Sequence, residues 1–288
     1  MNFKIGDIVA RKSYNHDIFF RIEDIRPDEA GELSAVIRGL DVRLLADSPL
    51  RDLEKVENNS IKNYRKDFIN ISNQCLIKIM SRRPELKRIN SVSEDHTTES
   101  FFEVPGRVLH IDSSLEYLNL CTAIYEQLSI EANGFHITEK EQPAFVPGLI
   151  EQYRPDILVI TGHDGVIKTR EGYSDLNNYH NSKHFVEGVK AARSVENDKD
   201  DLIIFAGACQ SHYEAILSAG ANFASSPSRV LIHALDPVLI VEKIAFTPIS
   251  QTVSIINVVE STITGTDGLG GIETRGKYRK GFPKSPYQ

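Results

Sequence analysis

The sequence predicts an α/β fold, in which a three-layer sandwich with a mostly parallel sheet follows a small β-rich unit. Two observations support this. From residue 101 onward, short apolar runs recur between stretches of helical length, as in βα units whose strands are buried on both faces. Before residue 58, short alternating runs are separated by Gly, Asp, Asn and Pro, a pattern typical of antiparallel strands joined by turns.

The first segment, residues 1–57, contains four alternating runs, at 4–12, 19–25, 34–40 and 42–46. Their length and spacing predict a small SH3-like β-barrel. Such barrels serve many functions, so the shape assigns none. Residues 58–100 are rich in Lys, Arg, Ser, Asn and Glu, and we predict a helix over 64–80 followed by a charged linker.

Residues 101–288 are expected to form the α/β domain. Apolar runs predict strands at 107–111, 134–137, 156–161, 202–206 and 221–224, with helices at 114–128, 145–153, 182–193 and 210–218. Ser182 is expected to be the N-cap of its helix. Right-handed crossovers between successive strands then give a parallel sheet covered by helices on both faces.

Composition excludes several classes of protein. Of the 288 residues, 41% are hydrophobic, which is enough for a buried core. The formal net charge of −7 argues against a nucleic-acid binder. No apolar run approaches the roughly 20 residues of a membrane helix, and no apolar signal core follows Met1, so we expect a cytoplasmic protein without membrane association. Three cysteines without a CxxC pair argue against a disulfide framework or a structural zinc site, and we expect no metal and no cofactor.

Chemistry is expected at one edge of the sheet. In open parallel sheets, binding sites form beyond the carboxyl ends of the strands. The third predicted strand runs into Thr161-Gly162-His163-Asp164-Gly165, and the fourth into Gly207-Ala208-Cys209-Gln210. If these strands are neighbours, His163 and Cys209 emerge side by side.

A thiol and an imidazole in this position predict nucleophilic catalysis. A cysteine is a strong nucleophile as its thiolate, which an imidazolium and a helix N-terminus both favour. The helix predicted from Gln210 would place its N-terminus at Cys209. The backbone N–H of Cys209, with one from the Asp164-Gly165 turn, would form an oxyanion hole, and Gly162 and Ala208 would shape the two turns.

The layout resembles the caspase-like cysteine peptidases. A hydrophobic strand followed by His, then a second strand followed by Ala-Cys, is their arrangement, and the 46 residues from His163 to Cys209 are close to the roughly 50 of caspases. The resemblance implies a caspase-like sandwich. Those enzymes usually carry Gly directly after the histidine, whereas Asp164 stands here, so the second oxyanion donor is left open.

Longer blocks resemble the YabG family of sporulation-specific peptidases. They are residues 6–14, 153–164, 205–212, 220–229 and 268–276. The resemblance implies a protease of the mother-cell cytoplasm, or one associated with the spore coat, that acts on spore-coat proteins. It further implies cleavage after Arg, self-processing, and His163 with Cys209 as the dyad.

An arginine pocket requires a carboxylate for bidentate pairing. Asp164, Asp175 and Asp236 are the candidates, and the sequence does not rank them. The connection over 165–181 is long for a compact α/β unit, as functional loops often are. Ser226 and Ser228, beyond the fifth strand, are expected to line the same edge.

Two other functions stay open. A metal-dependent hydrolase would use His163, Asp164, His180 and His184, of which the last two are spaced i, i+4. A non-enzymatic scaffold for coat assembly would use the N-terminal unit for binding, with Cys209 an ordinary buried thiol. The oligomeric state is not predicted.

Overall fold

A computed structural model describes residues 3–28, 31–91, 101–167, 170 and 172–285. The N-terminal unit, residues 3–57, is a five-stranded antiparallel sheet in the order β4-β3-β2-β1-β5. Its strands are β1 (Ile8–Arg11), β2 (Phe19–Pro27), β3 (Leu33–Gly39), β4 (Leu45–Pro49) and β5 (Leu53–Lys55). Within the described residues no ladder joins β4 to β5, so the closure of the predicted SH3-like barrel is not seen.

The next segment is more helical than predicted. Helix α1 (Asn58–Ser91) begins six residues before the expected start at 64 and extends through much of the predicted linker. The ring of Tyr64 stacks on that of Phe19 with centroids 4.5 Å apart, and Phe68 stacks on His233 at 5.2 Å. The first half of α1 therefore packs against both the N-terminal unit and the α/β part.

The α/β part alternates strands and helices as the sequence predicted. Its elements are β6 (Phe102–Val104), β7 (Val108–Asp112), α2 (Leu115–Gln127), β8 (Ala132–His136), α3 (Gln142–Tyr153), β9 (Ile157–Thr161), α4 (Ser182–Val195), β10 (Ile203–Ala206), α5 (Tyr213–Ser218), β11 (Phe223–Ser225), α6 (Asp236–Phe246), β12 (Thr252–Val253), α7 (Ile255–Ser261), β13 (Leu269–Gly271), β14 (Thr274–Arg275) and β15 (Arg279–Gly281).

Six of these strands form the central sheet, in the order β13-β11-β10-β9-β7-β8. The five strands from β8 to β11 are parallel, and β13 joins the edge antiparallel to β11. The sequence did not predict β13, because Gly-rich residues 268–271 lack the apolar run that marks a strand. The prediction of a largely parallel sheet is confirmed.

The sheet is buried on both faces because side chains alternate along each strand. Ile157 and Val159 of β9 join a core with α2, α6 and α7, whereas Leu158 and Ile160 join one with α3, α4 and α5. These two cores define a three-layer sandwich. No helix among the described residues is long and apolar enough to span a membrane.

Two local predictions were wrong. Helix α5 begins at Tyr213 rather than at Gln210, and its N-cap is His212. Helix α4 begins at Ser182 with Asn181 as its N-cap, and the Ser182 hydroxyl instead donates to Asp164. Both differences arise because tertiary partners at the sheet edge take groups that the sequence alone assigns to the helix ends.

Candidate active site

The carboxyl ends of the parallel strands place His163 and Cys209 at the same edge of the sheet. Strands β9 and β10 pair directly, with Val159 opposite Phe205 and Ile160 opposite Ala206. His163 follows the end of β9 by two residues, and Cys209 follows the end of β10 by three. The adjacency on which the sequence argument depended is therefore present.

The loop that carries His163 is held in place by the buried carboxylate of Glu139. Glu139 accepts a hydrogen bond from the backbone N–H of His163 at 2.7 Å, and the Ser113 hydroxyl donates to the same oxygen. A Cβ at position 162 would lie 2.5 Å from that oxygen, so only glycine permits its approach. Gly162 thus serves the positioning of His163.

Asp164 joins the histidine loop to the cysteine loop. One oxygen accepts from the backbone N–H groups of Gly165 and Asn181, at 2.9 and 2.8 Å. The other accepts from the hydroxyls of Ser182 and Ser211, at 2.5 and 2.8 Å. Burial raises the pKa of Asp164, and these hydrogen bonds oppose that effect. Asp164, which follows His163 at the position where caspase-like enzymes usually have glycine, therefore links the loop after β9 to the turn after β10 through hydrogen bonds.

Cys209 lies in a turn, not at the start of a helix, so the predicted help from a helix dipole is absent. Its side chain is fully buried, in the hydrophobic core of the N-terminal unit beside Leu44 and Ile232. The sulfur accepts a hydrogen bond from the Ile232 N–H at 3.2 Å. Burial raises the pKa of Cys209 to about 12. The thiol is therefore protonated in this conformation.

His163 is also buried, with 1% of its surface exposed. Its ring stacks on that of Tyr117 with centroids 5.4 Å apart. Neither ring nitrogen makes a well-formed hydrogen bond to any described residue, although the backbone of Gly39 favours the protonated ring. Burial, aided by the charge of Arg38, lowers its pKa well below the ordinary value. A buried imidazole without a well-formed hydrogen bond at either nitrogen is rare in a purely structural setting.

The space in front of both residues is filled by the N-terminal unit. The connection between β3 and β4 places the carbonyl oxygen of Arg43 3.1 Å from the backbone nitrogen of Cys209 and 3.1 Å from that of Asp164. Both N–H groups donate to this single oxygen. The Cys209 N–H is the first oxyanion donor that the sequence predicted, and the Asp164 N–H belongs to the Asp164-Gly165 turn, within which the second donor was left open.

The side chain of Arg43 enters a buried acidic pocket. Its Nη1 donates to Asp112 Oδ2 at 2.7 Å, its Nη2 to the carbonyl of Ala234 at 3.2 Å, and the guanidinium lies 4.8 Å from the centre of the Tyr117 ring. Arg43 and Asp112 are both fully buried. Burial alone would raise the pKa of Asp112, but the positive charge of Arg43 holds it well below its usual range.

The three carboxylates predicted to select arginine have other hydrogen-bond partners. Asp164 accepts hydrogen bonds from Ser182 and Ser211, as described above. Asp175 is exposed and accepts from the Asn177 N–H at 2.9 Å, and Asp236 at the start of α6 accepts from the His233 and Ile263 N–H groups, at 2.9 and 2.8 Å.

The two serines predicted at this edge differ in their surroundings. Ser226 is buried and accepts from the Gln210 N–H at 3.0 Å, so it supports the turn after Cys209. Ser228 is exposed, and its backbone N–H donates to Asp267 at 3.2 Å. Ser226 is thus part of the edge, whereas the Ser228 hydroxyl donates to the Asp267 carboxylate at 3.4 Å.

The residues of the predicted metal site are not gathered. His180 pairs with Asp47 of the N-terminal unit at 2.9 Å, and His184 with Glu187 at 3.5 Å. In the part of the chain that the structure describes, no three His, Cys, Asp or Glu side chains are placed to hold a metal ion.

Sequence reasoning missed four residues at this site. They are Arg43, Asp112, Tyr117 and Glu139. Asp112 could have been predicted from the sequence, because it ends a buried strand next to β9, and sites form beyond the carboxyl ends of parallel strands. Arg43 was not, since no pattern links a loop of the N-terminal unit to an edge formed more than 100 residues later.

Comparison with known proteins places the chain among sporulation proteases. The model of the family described as YabG peptidase U57 matches residues 4–283. The sporulation-specific protease YabG of Bacillus subtilis (strain 168) is 46% identical over 289 residues, which cover 98% of this chain and 99% of that protein. No solved structure matches the chain.

Proposed function

The chain belongs to the YabG peptidase U57 family of proteases, and we propose that it is a cysteine endopeptidase with Cys209 as nucleophile and His163 as acid–base. One observation carries this proposal. The backbone N–H groups of Asp164 and Cys209 converge on one carbonyl oxygen, each at 3.1 Å, at the sheet edge that also bears His163. Two convergent N–H donors beside a thiol and an imidazole are the components of acyl transfer.

The reaction would proceed through a thioester. His163 takes the proton of Cys209, and the thiolate attacks the scissile carbonyl carbon, forming a C–S bond. The two N–H groups stabilise the resulting oxyanion. Collapse breaks the C–N bond as His163 protonates the leaving amine. Water then gives a proton to His163 and attacks the thioester carbon, forming a C–O bond. The C–S bond breaks, the carboxylic acid is released, and His163 returns its proton to the sulfur to restore the thiol.

Cleavage after arginine is supported by the pocket that Arg43 occupies. Its guanidinium meets the Asp112 carboxylate, the Ala234 carbonyl and the face of Tyr117, while its carbonyl lies between the two N–H donors. A substrate arginine placed in the same way would present its own carbonyl for attack. Asp112 is thus the specificity carboxylate in this proposal, in preference to Asp164, Asp175 and Asp236.

The proposed biological setting is supported by the similarity to a sporulation protease. The relative is a sporulation-specific protease. In the proposed setting this chain acts in the mother cell, in the cytoplasm or at the forming coat, and its substrates are spore-coat proteins. Self-processing after an arginine is part of the same proposal, because Arg43 is already seated at the candidate site.

Two structural assignments belong with this function. The three-layer sandwich is proposed to be caspase-like, on the basis of His163 and Cys209 following adjacent parallel strands. The N-terminal unit, residues 3–57, is proposed to be a separate SH3-like module even though its sheet is open, and the domain limits of 1–57, 58–100 and 101–288 are kept as part of this proposal.

The alternatives have less support. The metal-dependent hydrolase would need His180 and His184 near His163, but they pair with Asp47 and Glu187 instead. An inert scaffold would not need two N–H donors aimed at one carbonyl beside a buried imidazole. Neither alternative accounts for the buried Arg43–Asp112 pair.

The test is incubation of the purified wild type and the Cys209→Ala variant with spore-coat proteins, with cleavage sites read by mass spectrometry. We expect cuts after Arg with the wild type only. Equal cleavage by a folded Cys209→Ala variant would overturn the nucleophile, and cuts without preference for Arg would overturn the role of Asp112. Coat proteins left intact by the wild type, while an Arg-containing peptide is cut, would overturn the substrate class alone.

A further inference from the structure

The geometry points to a built-in occupant of the active site: residues 39–45, here called the 39–45 segment, fill the substrate cleft in the manner of a substrate, and the N-terminal unit thereby keeps the peptidase closed. This inference rests on the proposed function, because it takes Cys209 and His163 as the catalytic pair. It adds that a segment of the same chain occupies the substrate cleft before any substrate binds.

The backbone of the segment is bound as a substrate backbone would be. The carbonyl of Arg43 uses both N–H donors, from Cys209 and Asp164. Two residues after Arg43, the N–H of Leu45 donates to the carbonyl of Asp164 at 2.8 Å, and the intervening Leu44 forms a parallel bridge with Asp164. Strand-like pairing on an exposed edge is a common way for a protein to hold an extended peptide.

The side chain of Arg43 is the anchor. Among the described residues, Arg43 has the largest side chain that is fully buried. Arginine is otherwise among the residues least often buried. Its charge is matched by Asp112 within a pocket closed by Tyr117. An arginine so placed needs a reason beyond the packing of the N-terminal sheet, since Asp112 lies in the other half of the structure.

Further contacts hold the segment in place. The Tyr117 hydroxyl donates to the carbonyls of Gly39 and Val42, at 3.3 and 3.4 Å, and the Tyr64 hydroxyl of α1 donates to Asp41. Val42 also forms an antiparallel bridge with His233. The 39–45 segment is thus held by hydrogen bonds near both of its ends and at its centre.

The consequence is competition for the same atoms. The N–H groups of Cys209 and Asp164 cannot bind a substrate carbonyl while they bind that of Arg43, and the sulfur is enclosed by the core of the N-terminal unit. A substrate must therefore displace the 39–45 segment. The fraction of molecules in which the segment has left sets the apparent affinity for any substrate.

The test uses a peptidyl-arginine chloromethyl ketone, which alkylates a reactive thiol, and follows modification of Cys209 in the full chain by intact mass. Two variants loosen the segment differently. Arg43→Ala removes the anchor, whereas Gly165→Ala removes no charge but sets a Cβ 2.0 Å from the carbonyl oxygen of Leu45. We expect both to be labelled at least about 10-fold faster than the wild type, because more molecules are open.

Matched controls are present in the chain. Arg21→Ala removes an exposed arginine from the same sheet, and Gly148→Ala adds a methyl group at an exposed glycine with no atom within 4 Å. Both should be labelled at the wild-type rate. The norleucine analogue of the ketone checks the fold: a variant with an intact cleft reacts faster with the arginine ketone, whereas an unfolded one does not distinguish them.

The outcomes separate the two levels of inference. Faster arginine-selective labelling of either loosened variant, with unchanged controls, supports the occupant. A wild type labelled as fast as both variants overturns it and leaves the proposed function intact. Failure of the ketone to label Cys209 in any chain overturns the proposed function, and the occupant with it.

Discussion

The backbone nitrogen of Cys209 lies 3.1 Å from the carbonyl oxygen of Arg43, although the two residues come from opposite halves of the chain. The same oxygen accepts from the N–H of Asp164, the residue after His163. One oxygen atom of the N-terminal unit thus contacts the backbone of the candidate nucleophile and the backbone of the residue next to the candidate base. The arrangement yields four predictions.

Replacement of the base should remove activity without unfolding the chain. We expect His163→Ala to lower the rate of hydrolysis of an arginyl amide by on the order of 10³-fold or more, as losses of nucleophile or base do in other peptidases. The matched control is His184→Ala, which removes a half-buried histidine paired with Glu187. Retained activity in the His184→Ala variant agrees with the dyad. Loss of activity in that variant, together with loss of a bound metal ion, would favour the metal-dependent alternative.

The Arg43–Asp112 pair should be strongly coupled in stability. Asp112→Asn leaves the buried guanidinium without a counter-charge, and we expect a loss of about 3–5 kcal/mol in the free energy of unfolding. Arg43→Met leaves the carboxylate unpaired and should cost a similar amount. The double variant should be clearly more stable than the sum of the two losses predicts. Denaturant unfolding of all four chains measures the coupling, and additive losses would show that the two charges do not depend on each other.

Alkylation of Cys209 should depend on pH as for a buried thiol. Its pKa is raised to about 12, so the folded state binds the proton more tightly than the unfolded state does. The resulting stabilisation is complete below the ordinary thiol pKa and is lost as the pH rises toward 12. We therefore expect the rate of iodoacetamide labelling of native protein not to level off by pH 9, as it would begin to do for an exposed thiol.

The control for this measurement is Cys209→Ala, which reports the labelling of the other two cysteines. Burial also raises the pKa of Cys121 to about 12, and the side chain of Cys75 lies outside the described residues. Subtracting that background isolates Cys209. A midpoint near the ordinary thiol pKa in the difference would mean that the sulfur is exposed in solution.

Self-processing should occur first at the Arg43–Leu44 bond. The Arg43 carbonyl is already held by two N–H donors, whereas Arg275 lies in β14, where its own N–H is bonded to Asp200 at 2.8 Å. Cleavage should be slow, because the thiol is protonated in the closed form. Intact mass during incubation should reveal a fragment that ends at Arg43 in the wild type and not in Cys209→Ala. A first cut after Arg275 would contradict this order.

The apolar patterns determined much of the fold. Uninterrupted runs such as 157–160 and 203–206 are buried on both faces of the sheet, and the spacing between them allows the crossovers that make it parallel. Helix ends were predicted less well. Ser182 and Gln210 were assigned to helix starts by local rules, but Ser182 bonds to Asp164, and Gln210 lies in a turn that precedes α5.

The sequence by itself determined the α/β class, the parallel sheet and the position of His163 and Cys209 just beyond the ends of two strands, because strand patterns and strand ends are local properties of the chain. That these two strands are neighbours, with both residues at one edge of the sheet, was decided by the tertiary structure. Only the tertiary structure decided what faces that edge. The Arg43 carbonyl, the Asp112 pocket and the enclosure of the sulfur all depend on contacts between segments far apart in sequence. Whether a thiol ionises is set by its surroundings in space, so the closed state of Cys209 could not be predicted from the residues beside it.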